Sequence, residues 1–495
     1  MDEAANSGSR HLRLAAWLVV MLGALAWSAP ALAQSFRVQC PTTTALHPGA
    51  SSDKGKIKCQ EIGGSDGYAT MGDGHQIYLF GFSPLSGLGD PATSIDGILT
   101  GKEGTQTPDV FNSTTDARRG KLEPADIMNS GVLYANAPAP MMAIDEDDEF
   151  FLTLSNVGMI MRPDLFEQHT VHFHGYPNAS SFFDGVPDAS VAINIAGSFT
   201  YYYTAPDAGT YFWHCHISQP EHLQMGMVGQ IFVRPRQNRL SVSDNLYDAL
   251  KVANSANAGK VGATADGSCS DILCTGATPL PALRSLATGG AKYAYNDGDG
   301  STRYDVEVPI QIMGFDPNFH FVGMTFNPEA FADMKDKYFT LNGRSYPDTI
   351  NTSVDNSATV GQNGQPVPSG PMSTQSADGA SRPSQPLHSK ITIPSGGRAL
   401  LRVSDLSVTE HTTLATLGIP MTVIAQNARL LRDAAGNNLY YNTNSITLGG
   451  GESMDVILDA SGVPAGTYFL YSTNLDHLSN DAENFGGMMT EIVVQ

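Results

Sequence analysis

The chain has 495 residues, of which 41% are hydrophobic and 16% charged, a composition typical of globular domains. Its formal net charge of −21 would repel phosphate groups, so the composition argues against nucleic acid as a partner. The length is sufficient for two or three domains.

Residues 1–33 have the pattern of a secretory signal peptide. A basic segment precedes an apolar run from Leu14 to Trp27, and the small residues Ala31 and Ala33 are typical of a cleavage site. The run is too short for a transmembrane helix, and no later stretch reaches the roughly 20 apolar residues that a span requires. We therefore expect export to the periplasm or the extracellular space, without stable membrane insertion.

Four of the five cysteines form two local pairs in the sequence, Cys40 with Cys59 and Cys269 with Cys274. Local pairs in an exported chain favour disulfides, although spacing alone does not prove the pairing. A zinc site is a weaker alternative, because no histidine lies beside either pair at finger-like spacing. The fifth cysteine, Cys215, is left for other chemistry.

The rest of the chain predicts two β-rich units. Residues 34–124 are loop-rich, with one strand candidate at 75–82 that we expect to pack on the first domain, residues 125–236. The acidic run at 145–149 is predicted to be a solvated turn. Residues 237–301 are predicted to be a linker with a short helix at 243–253. Residues 302–495 contain repeated strand-like runs between Gly, Asn and Pro turns, which favours a β-sandwich.

Two motifs in the first unit combine the side chains that bind copper. Residues 168–176 read QHTVHFHGY, and residues 209–230 read GTYFWHCHISQPEHLQMGMVGQ. A thiolate, imidazoles and a distant thioether are the ligands of blue-copper sites, since soft sulfur suits Cu(I) and imidazole suits both oxidation states.

Strand alternation sorts these ligands into two groups, because residues two apart share a face of a strand. His214 and His216 are predicted to point to one side and Cys215 to the other, and His169 is predicted to oppose His172 and His174. One mononuclear site can then form from His169, Cys215, His222 and Met227. A second metal can face His172, His174, His214 and His216.

This combination of HxxHxHG, HCH, a later histidine and a methionine resembles the copper signature of multicopper oxidases. Residues 184–185, 195–203 and 209–216 are similar to the first cupredoxin domain of laccase-like members. The resemblance implies an all-β fold of two cupredoxin-like Greek-key β-sandwich domains. It also implies a type 1 copper at the first ligand group and half of a trinuclear type 2/type 3 cluster at the second. The gap between Cys215 and His222 is two residues longer than in the usual laccase pattern.

The second unit resembles the first in rhythm but lacks most of the ligands. Tyr471, Ser472 and Thr473 stand where the first unit has its HCH run, and residues 415–418 replace the HFHG run. Only His477 and the methionines at 488–489 remain. We therefore expect the second domain to have a degenerate copper site.

The resemblance implies a trinuclear centre that takes eight histidines from two domains, but this chain offers only four. Three functions are compatible with that number. The favoured one is a copper-dependent oxidoreductase that oxidises a small reductant, a phenol or a metal ion, and passes electrons to a second copper and O2. Its catalytic group is His172, His174, His214 and His216, completed by another copy in a homo-oligomer. The alternatives are a nitrite reductase-like enzyme, which needs an acid where His172 stands, and a non-catalytic blue-copper electron carrier or copper-binding protein.

Overall fold

The computed structural model describes residues 38–48, 56–86, 105–112, 124–175, 180–205, 207–240, 292–325, 330–352, 373–375, 381–433 and 437–495. The predicted signal peptide, the helix predicted at 243–253 and the Cys269–Cys274 pair lie outside these residues. Within them, Cys40 and Cys59 form a disulfide, as their spacing favoured. None of the helices in these ranges has the length and apolar character needed to cross a bilayer.

The first β-sandwich consists of two four-stranded sheets. One sheet has the order β2-β1-β4-β6, formed by β1 (Ile57–Thr70), β2 (Gln76–Pro84), β4 (Glu149–Gly158) and β6 (Ser198–Thr204). The other has the order β3-β8-β7-β5, formed by β3 (Met142–Asp145), β5 (His172–Phe173), β7 (Gly209–His214) and β8 (Val228–Arg234). The short strand β5 is therefore the edge strand next to β7.

The second β-sandwich confirms the predicted two-domain fold. Its larger sheet has the order β12-β11-β16-β22-β18-β19, with β20 on β18; the bounds are β11 (Val306–Phe315), β12 (Tyr338–Leu341), β16 (Arg398–Asp405), β18 (Met421–Gln426), β19 (Arg429–Leu430), β20 (Tyr441–Thr443) and β22 (Ser453–Asp459). The facing sheet has the order β15-β24-β23-β17-β21, with bounds β15 (Ile391–Ile393), β17 (Thr412–Leu417), β21 (Ser445–Leu448), β23 (Gly466–Ser472) and β24 (Met489–Val494).

Short elements complete the described structure. Two ribbons pair β9 (Lys292–Tyr293) with β10 (Arg303–Tyr304) and β13 (Ser373–Gln375) with β14 (Ser381–Pro383). The α-helices are α1 (Pro108–Phe111), α2 (Pro124–Gly131), α3 (Gln219–Met225) and α4 (Pro317–Met324). Single 3₁₀ turns cover Ser181–Phe183, Arg236–Arg239, Phe331–Asp333, Asp348–Ile350 and Leu475–Leu478.

Strand β7 is buried at every position, because both of its faces are covered. Tyr211 and Trp213 point into the core of the first sandwich, which also contains Cys215. Phe212 packs in a different cluster with Phe315 of the second domain. The strand that carries the HCH motif thus lies between the first core and the second domain.

A buried polar network joins the two sandwiches. The Arg402 guanidinium on β16 lies 2.7 Å from a carboxylate oxygen of Glu307, and Arg234 of the first domain approaches Glu307 at 3.2 Å. Thr210 on β7 donates to Asp455 on β22 at 2.5 Å. Since each buried charge has an opposite charge in contact, burial is tolerated at this junction.

Strand β1 lies in the segment 34–124 that the sequence predicts to be loop-rich. Its sequence, IKCQEIGGSDGYAT, contains three glycines and acidic residues and does not alternate, a pattern that disfavours a strand. It is nevertheless almost completely buried, because it lies between β2 and β4. Pairing on both sides therefore outweighs the low strand propensity of glycine and acidic residues.

The acidic run 145–149 contains the predicted turn, at 146–147, but the prediction that it is solvated was wrong. Glu146, Asp148 and Glu149 are at most 2% exposed. Their carboxylates accept hydrogen bonds, for example from the backbone N–H of Ala208 to Glu146 at 3.0 Å and from Lys56 N–H to Asp148 at 2.7 Å. The run is buried because these donors compensate for the loss of water.

Candidate metal centre

The first ligand group is assembled from three separate segments. His169 precedes the edge strand β5, Cys215 follows β7, and His222 lies on α3. One ligand atom from each of these side chains lies within 4.8 Å of the others, and all three residues are buried. The Cys215 Sγ atom is 3.2 Å from Nδ1 of His222 and accepts a hydrogen bond from Thr170 N–H at 3.4 Å. The structure thus brings together the thiol and both imidazoles of the predicted type 1 site.

The surroundings of His169 fit a metal ligand. Its side chain is fully buried, yet neither ring nitrogen has a hydrogen-bond partner. Buried polar atoms normally have partners, so the orphaned nitrogens point to an absent ligand. Gly64 on β1 makes room for the ring, because a Cβ there would lie 2.6 Å from the imidazole Cδ2. A copper ion bound to this thiolate and these imidazoles matches the donor preferences of a blue-copper site.

Met227 belongs to the same core cluster as Cys215 and is fully buried. Its carbonyl accepts from Cys215 N–H at 3.1 Å, and its own N–H donates to the His222 carbonyl at 2.8 Å. These two bonds tie both ends of the segment between β7 and β8 together. The predicted fourth ligand is therefore held by its backbone in the core cluster that contains the thiol.

Electrostatics in this group favour a cation. Burial acts to raise the pKa of the Cys215 thiol, but the charge of His222 and the proximity of the His169 and His222 rings outweigh it and lower the pKa well below its usual range. Burial lowers the pKa of His169. A positive charge between Sγ and the rings stabilises the thiolate, and a metal ion supplies such a charge.

The second ligand group lies on the other side of β7. His172, His174 and His214 each offer a ring nitrogen within the 4.8 Å limit. Nδ1 of His172 is 2.7 Å from the Asp184 carbonyl, and Nδ1 of His214 is 2.6 Å from the Cys215 carbonyl. Because a carbonyl only accepts, these Nδ1 atoms carry the protons and the Nε2 atoms remain free to bind a metal.

His174 and His214 contact each other through their rings. Their Nε2 atoms are 2.9 Å apart, and the His174 ring is also hydrogen-bonded to the backbone of Gly451. Burial lowers the pKa of His214 to about 3, so this ring is neutral at physiological pH. Neutral imidazoles this close together are suitable residues to hold a metal ion.

His216 belongs to the second group by ring contact only. Its centroid is 4.9 Å from that of His172 and 5.5 Å from that of His214. The side-chain amide of Gln219 lies 2.8 Å from its Nδ1 and 3.1 Å from its Nε2. His216 is therefore next to the predicted cluster, with its ring nitrogens facing an amide.

One further histidine approaches the second group. A cavity of about 350 Å³ is lined by His174 and Gln219 of the first domain and by Glu410, His411 and Gly451 of the second. Two of the isolated histidines in the described residues have other contacts. His477 contacts Ser472, and Nδ1 of His320 approaches the Tyr78 carbonyl.

Sequence reasoning did not identify two residues that act on the ligands. A carboxylate oxygen of Glu167 lies 3.6 Å from Nε2 of His222, on the side of the ring opposite the thiol. The contact with His222 lowers the pKa of Glu167 against the effect of its partial burial. The other is Gln219 at His216. Glu167 is two positions before His169, but nothing in the sequence indicates that it reaches α3.

The Cys215 thiol lies at the end of a buried strand, with one set of histidines on each side of that strand. Within two β-sandwiches, this arrangement defines a cupredoxin-type copper protein. Two models described as multicopper oxidase match residues 117–238 and 335–493, which together exceed half of the chain. The chain belongs to the multicopper oxidase family.

Similar proteins agree with this assignment. The laccase Abr2 of Aspergillus fumigatus is 30% identical over 130 residues, 25% of this chain and 21% of the laccase. The multicopper oxidase MmcO of Mycobacterium tuberculosis is 32% identical over 95 residues, 19% of this chain and 17% of that protein. The chain thus spans only a small part of these relatives. The blue copper oxidase of Nitrosomonas europaea has the same fold, with a TM-score of 0.50, 15% identity and coverage of 88% of this chain and 85% of its own.

Proposed function

We propose that the protein is a copper-dependent oxidase that takes single electrons from a small reductant and delivers them to O2. The observation that carries this proposal is the position of Cys215. Its thiol belongs to the first ligand group, while its covalent neighbours His214 and His216 belong to the second. Copper held by such ligands supplies one-electron redox chemistry. The backbone from Cys215 to its neighbours offers a short covalent path between the two groups.

The position of Glu167 suggests where electrons enter the protein from the surface. Its side chain is 25% exposed, whereas the His222 ring that it contacts is fully buried. Phe166 is 82% exposed and Met161 is 38% exposed nearby in the chain. A phenol could bind here on the apolar residues, and a metal cation could bind at the carboxylate. Either reductant would be separated from His222 only by the contact between Glu167 and the His222 ring. The negative charge of Glu167, 3.6 Å from Nε2, favours the ring orientation in which Nδ1 faces the thiol.

We propose that a second copy of the chain completes the second ligand group. His172 and His174 are both partly exposed, although both rings belong to the second ligand group. In the second domain, β17 and β23 carry no histidine at the corresponding positions. Closed symmetric association brings identical patches together, so two histidine groups can share one cluster.

A non-catalytic electron carrier is the alternative that the second domain favours, since it supplies none of the family's cluster histidines. Copper stoichiometry and spectroscopy separate the two functions. An oxidase requires more than one copper per chain, O2 consumption, and a strong red-region thiolate band that Cys215→Ser abolishes. Replacing His174 and His216 with Ala is expected to stop O2 consumption and leave that band intact. One copper per chain with the band but no O2 consumption identifies a carrier, and copper-loaded wild type without the band refutes both functions.

We also propose that the protein is exported to the periplasm or beyond. The Cys40–Cys59 disulfide supports this, because such bonds persist in oxidising compartments. Fractionation of cells and N-terminal sequencing of the mature chain test it. A full-length N-terminus on cytoplasmic protein would contradict export.

A further inference from the structure

The second domain reproduces the hydrogen bonds around the first ligand group with serine in place of cysteine. Ser472 Oγ lies 3.1 Å from Nδ1 of His477, as Cys215 Sγ lies 3.2 Å from Nδ1 of His222. Both pairs are buried. Ser472 is the last residue of β23, and Cys215 directly follows β7. Each lies six residues after the glycine that begins its strand.

The backbone that would hold a fourth ligand is also reproduced. Met488 accepts from Ser472 N–H at 2.9 Å and donates to the His477 carbonyl at 2.8 Å. These are the same two bonds that Met227 makes with Cys215 and His222 in the first domain. Met488 is 1% exposed, so its side chain remains inside the domain.

An acidic residue contacts the remaining histidine from the outer side. Glu410 Oε2 is 3.3 Å from Nε2 of His477, the counterpart of the 3.6 Å contact between Glu167 and His222. Both glutamates precede the position of the first imidazole ligand by two residues. Four elements of the first site thus have direct counterparts in the second domain.

Strand register identifies what replaced the missing imidazole. His172 pairs with His214 in the first domain, and Ala415 pairs with Tyr471 in the second. Three residues earlier, His169 therefore corresponds to Thr412. A second correspondence involves β1 and β11. Gly64 pairs with Asn156 in the first domain, and Ile312 pairs with Asp405 in the second, so Ile312 corresponds to Gly64.

Asn156 and Asp405 occupy equivalent positions, because each directly follows a serine that pairs with a second serine. These pairs are Ser155 with Ser198 and Ser404 with Ser453. Gly64 is the residue that leaves space for the His169 ring. At the aligned positions the second domain thus has the larger Ile312 for Gly64 and the smaller Thr412 for His169, an exchange that conserves volume as a close-packed interior requires.

We infer that the second domain retains the framework of a type 1 copper site, and that Ser472, Thr412 and Ile312 decide that it does not form one. The ligand class is a copper ion bound by thiolate, imidazole and thioether. The inference rests on the proposed copper role of the first-domain group, which serves as the template. It predicts that three substitutions restore a blue site at His477 and Met488.

The test uses the full chain with Cys215→Ser, so that any thiolate band comes from the second domain. Adding Ser472→Cys, Thr412→His and Ile312→Gly is expected to give one additional copper per chain and a strong red-region band. A folded, copper-loaded variant without the band overturns the inference. Absence of the band in the wild type instead refutes the proposed function, so the two failures are distinguishable.

A milder variant covers the case in which the combined substitutions prevent folding. Ser472→Cys alone, again with Cys215→Ser, exchanges one atom and is expected to bind Cu(I) at least tenfold more tightly than its parent in competition with a chromogenic chelator. The matched control is Ser404→Cys, a buried serine of the same domain whose Oγ contacts Gln230 rather than a histidine. Equal Cu(I) affinity of the two cysteine variants overturns the inference.

Discussion

Glu61 on β1 makes stability depend on pH in a direction unusual for a carboxyl group. It is 1% exposed, and the hydroxyl of Ser155 donates to it at 3.0 Å. Burial raises the pKa of Glu61 from 4.5 to about 8, and the hydrogen bond from Ser155 offsets only part of this effect. The folded chain therefore binds this proton more tightly than the unfolded chain. Glu61→Gln keeps the shape of the side chain and removes the titration.

The sign and size of the effect follow from linkage. Because the folded-state pKa of Glu61 is the higher one, its favourable contribution is complete below pH 4.5 and is lost as the pH rises to about 8. At about 1.4 kcal/mol per pKa unit, the loss amounts to roughly 3 kcal/mol by pH 7 and at most about 5 kcal/mol above pH 8. Glu61→Gln removes this loss, so the variant gains stability relative to the wild type as the pH increases.

Urea unfolding of both proteins at pH 5, 6, 7 and 8, with equal copper loading, measures the difference directly. The comparison between the two proteins is needed because burial also raises the pKa values of Asp148 and Asp405 to about 7. Those groups affect both proteins equally. A difference in unfolding free energy that does not change between pH 5 and pH 8 would refute the reasoning, since it would mean that Glu61 is ionised in the folded state.

Three other predictions concern the ligands, the domain junction and assembly. Met227→Leu is expected to keep the thiolate band and raise the reduction potential in a redox titration, because a weak axial thioether tunes potential more than affinity, whereas Met225→Leu changes little. Glu307→Gln is expected to cost about 3 kcal/mol in urea unfolding, because it leaves the buried Arg402 without its nearest charge; an unchanged midpoint contradicts this. O2 consumption per chain is expected to fall on dilution in step with dissociation observed by light scattering, and full activity of a monomer would exclude the shared cluster.

Residue spacing was enough to separate the ligands into two groups, because alternation persists through His214, Cys215 and His216 although β7 ends at His214. The second β-sandwich was also predictable as a class of fold, because strand-like runs recur between turn residues in 302–495. Contacts between distant segments were not predictable. Whether Glu167 reaches His222 depends on where the longer segment after Cys215 places α3, and a single sequence carries no signal for that.

Burial likewise depends on tertiary contacts that local patterns do not contain. The glycines of β1 disfavour a strand in isolation, but Gly64 is required there because any Cβ would collide with His169. The acidic run around Glu146 has the composition of a solvated turn, and only the donors that fold over it, including Asn296 from the segment predicted as a linker, allow its burial. Both features become intelligible only when the partner segments are known.

The complete burial of Cys215, His169 and His222 has a kinetic consequence for maturation. If these residues hold copper as proposed, their burial closes the thiolate to direct approach, and uptake by the folded apoprotein requires a local opening of the structure first. The rate of uptake then approaches a ceiling, set by this local opening, as the copper concentration rises. The same barrier protects the thiolate from peroxide and other dissolved oxidants during the time that the chain waits for its metal.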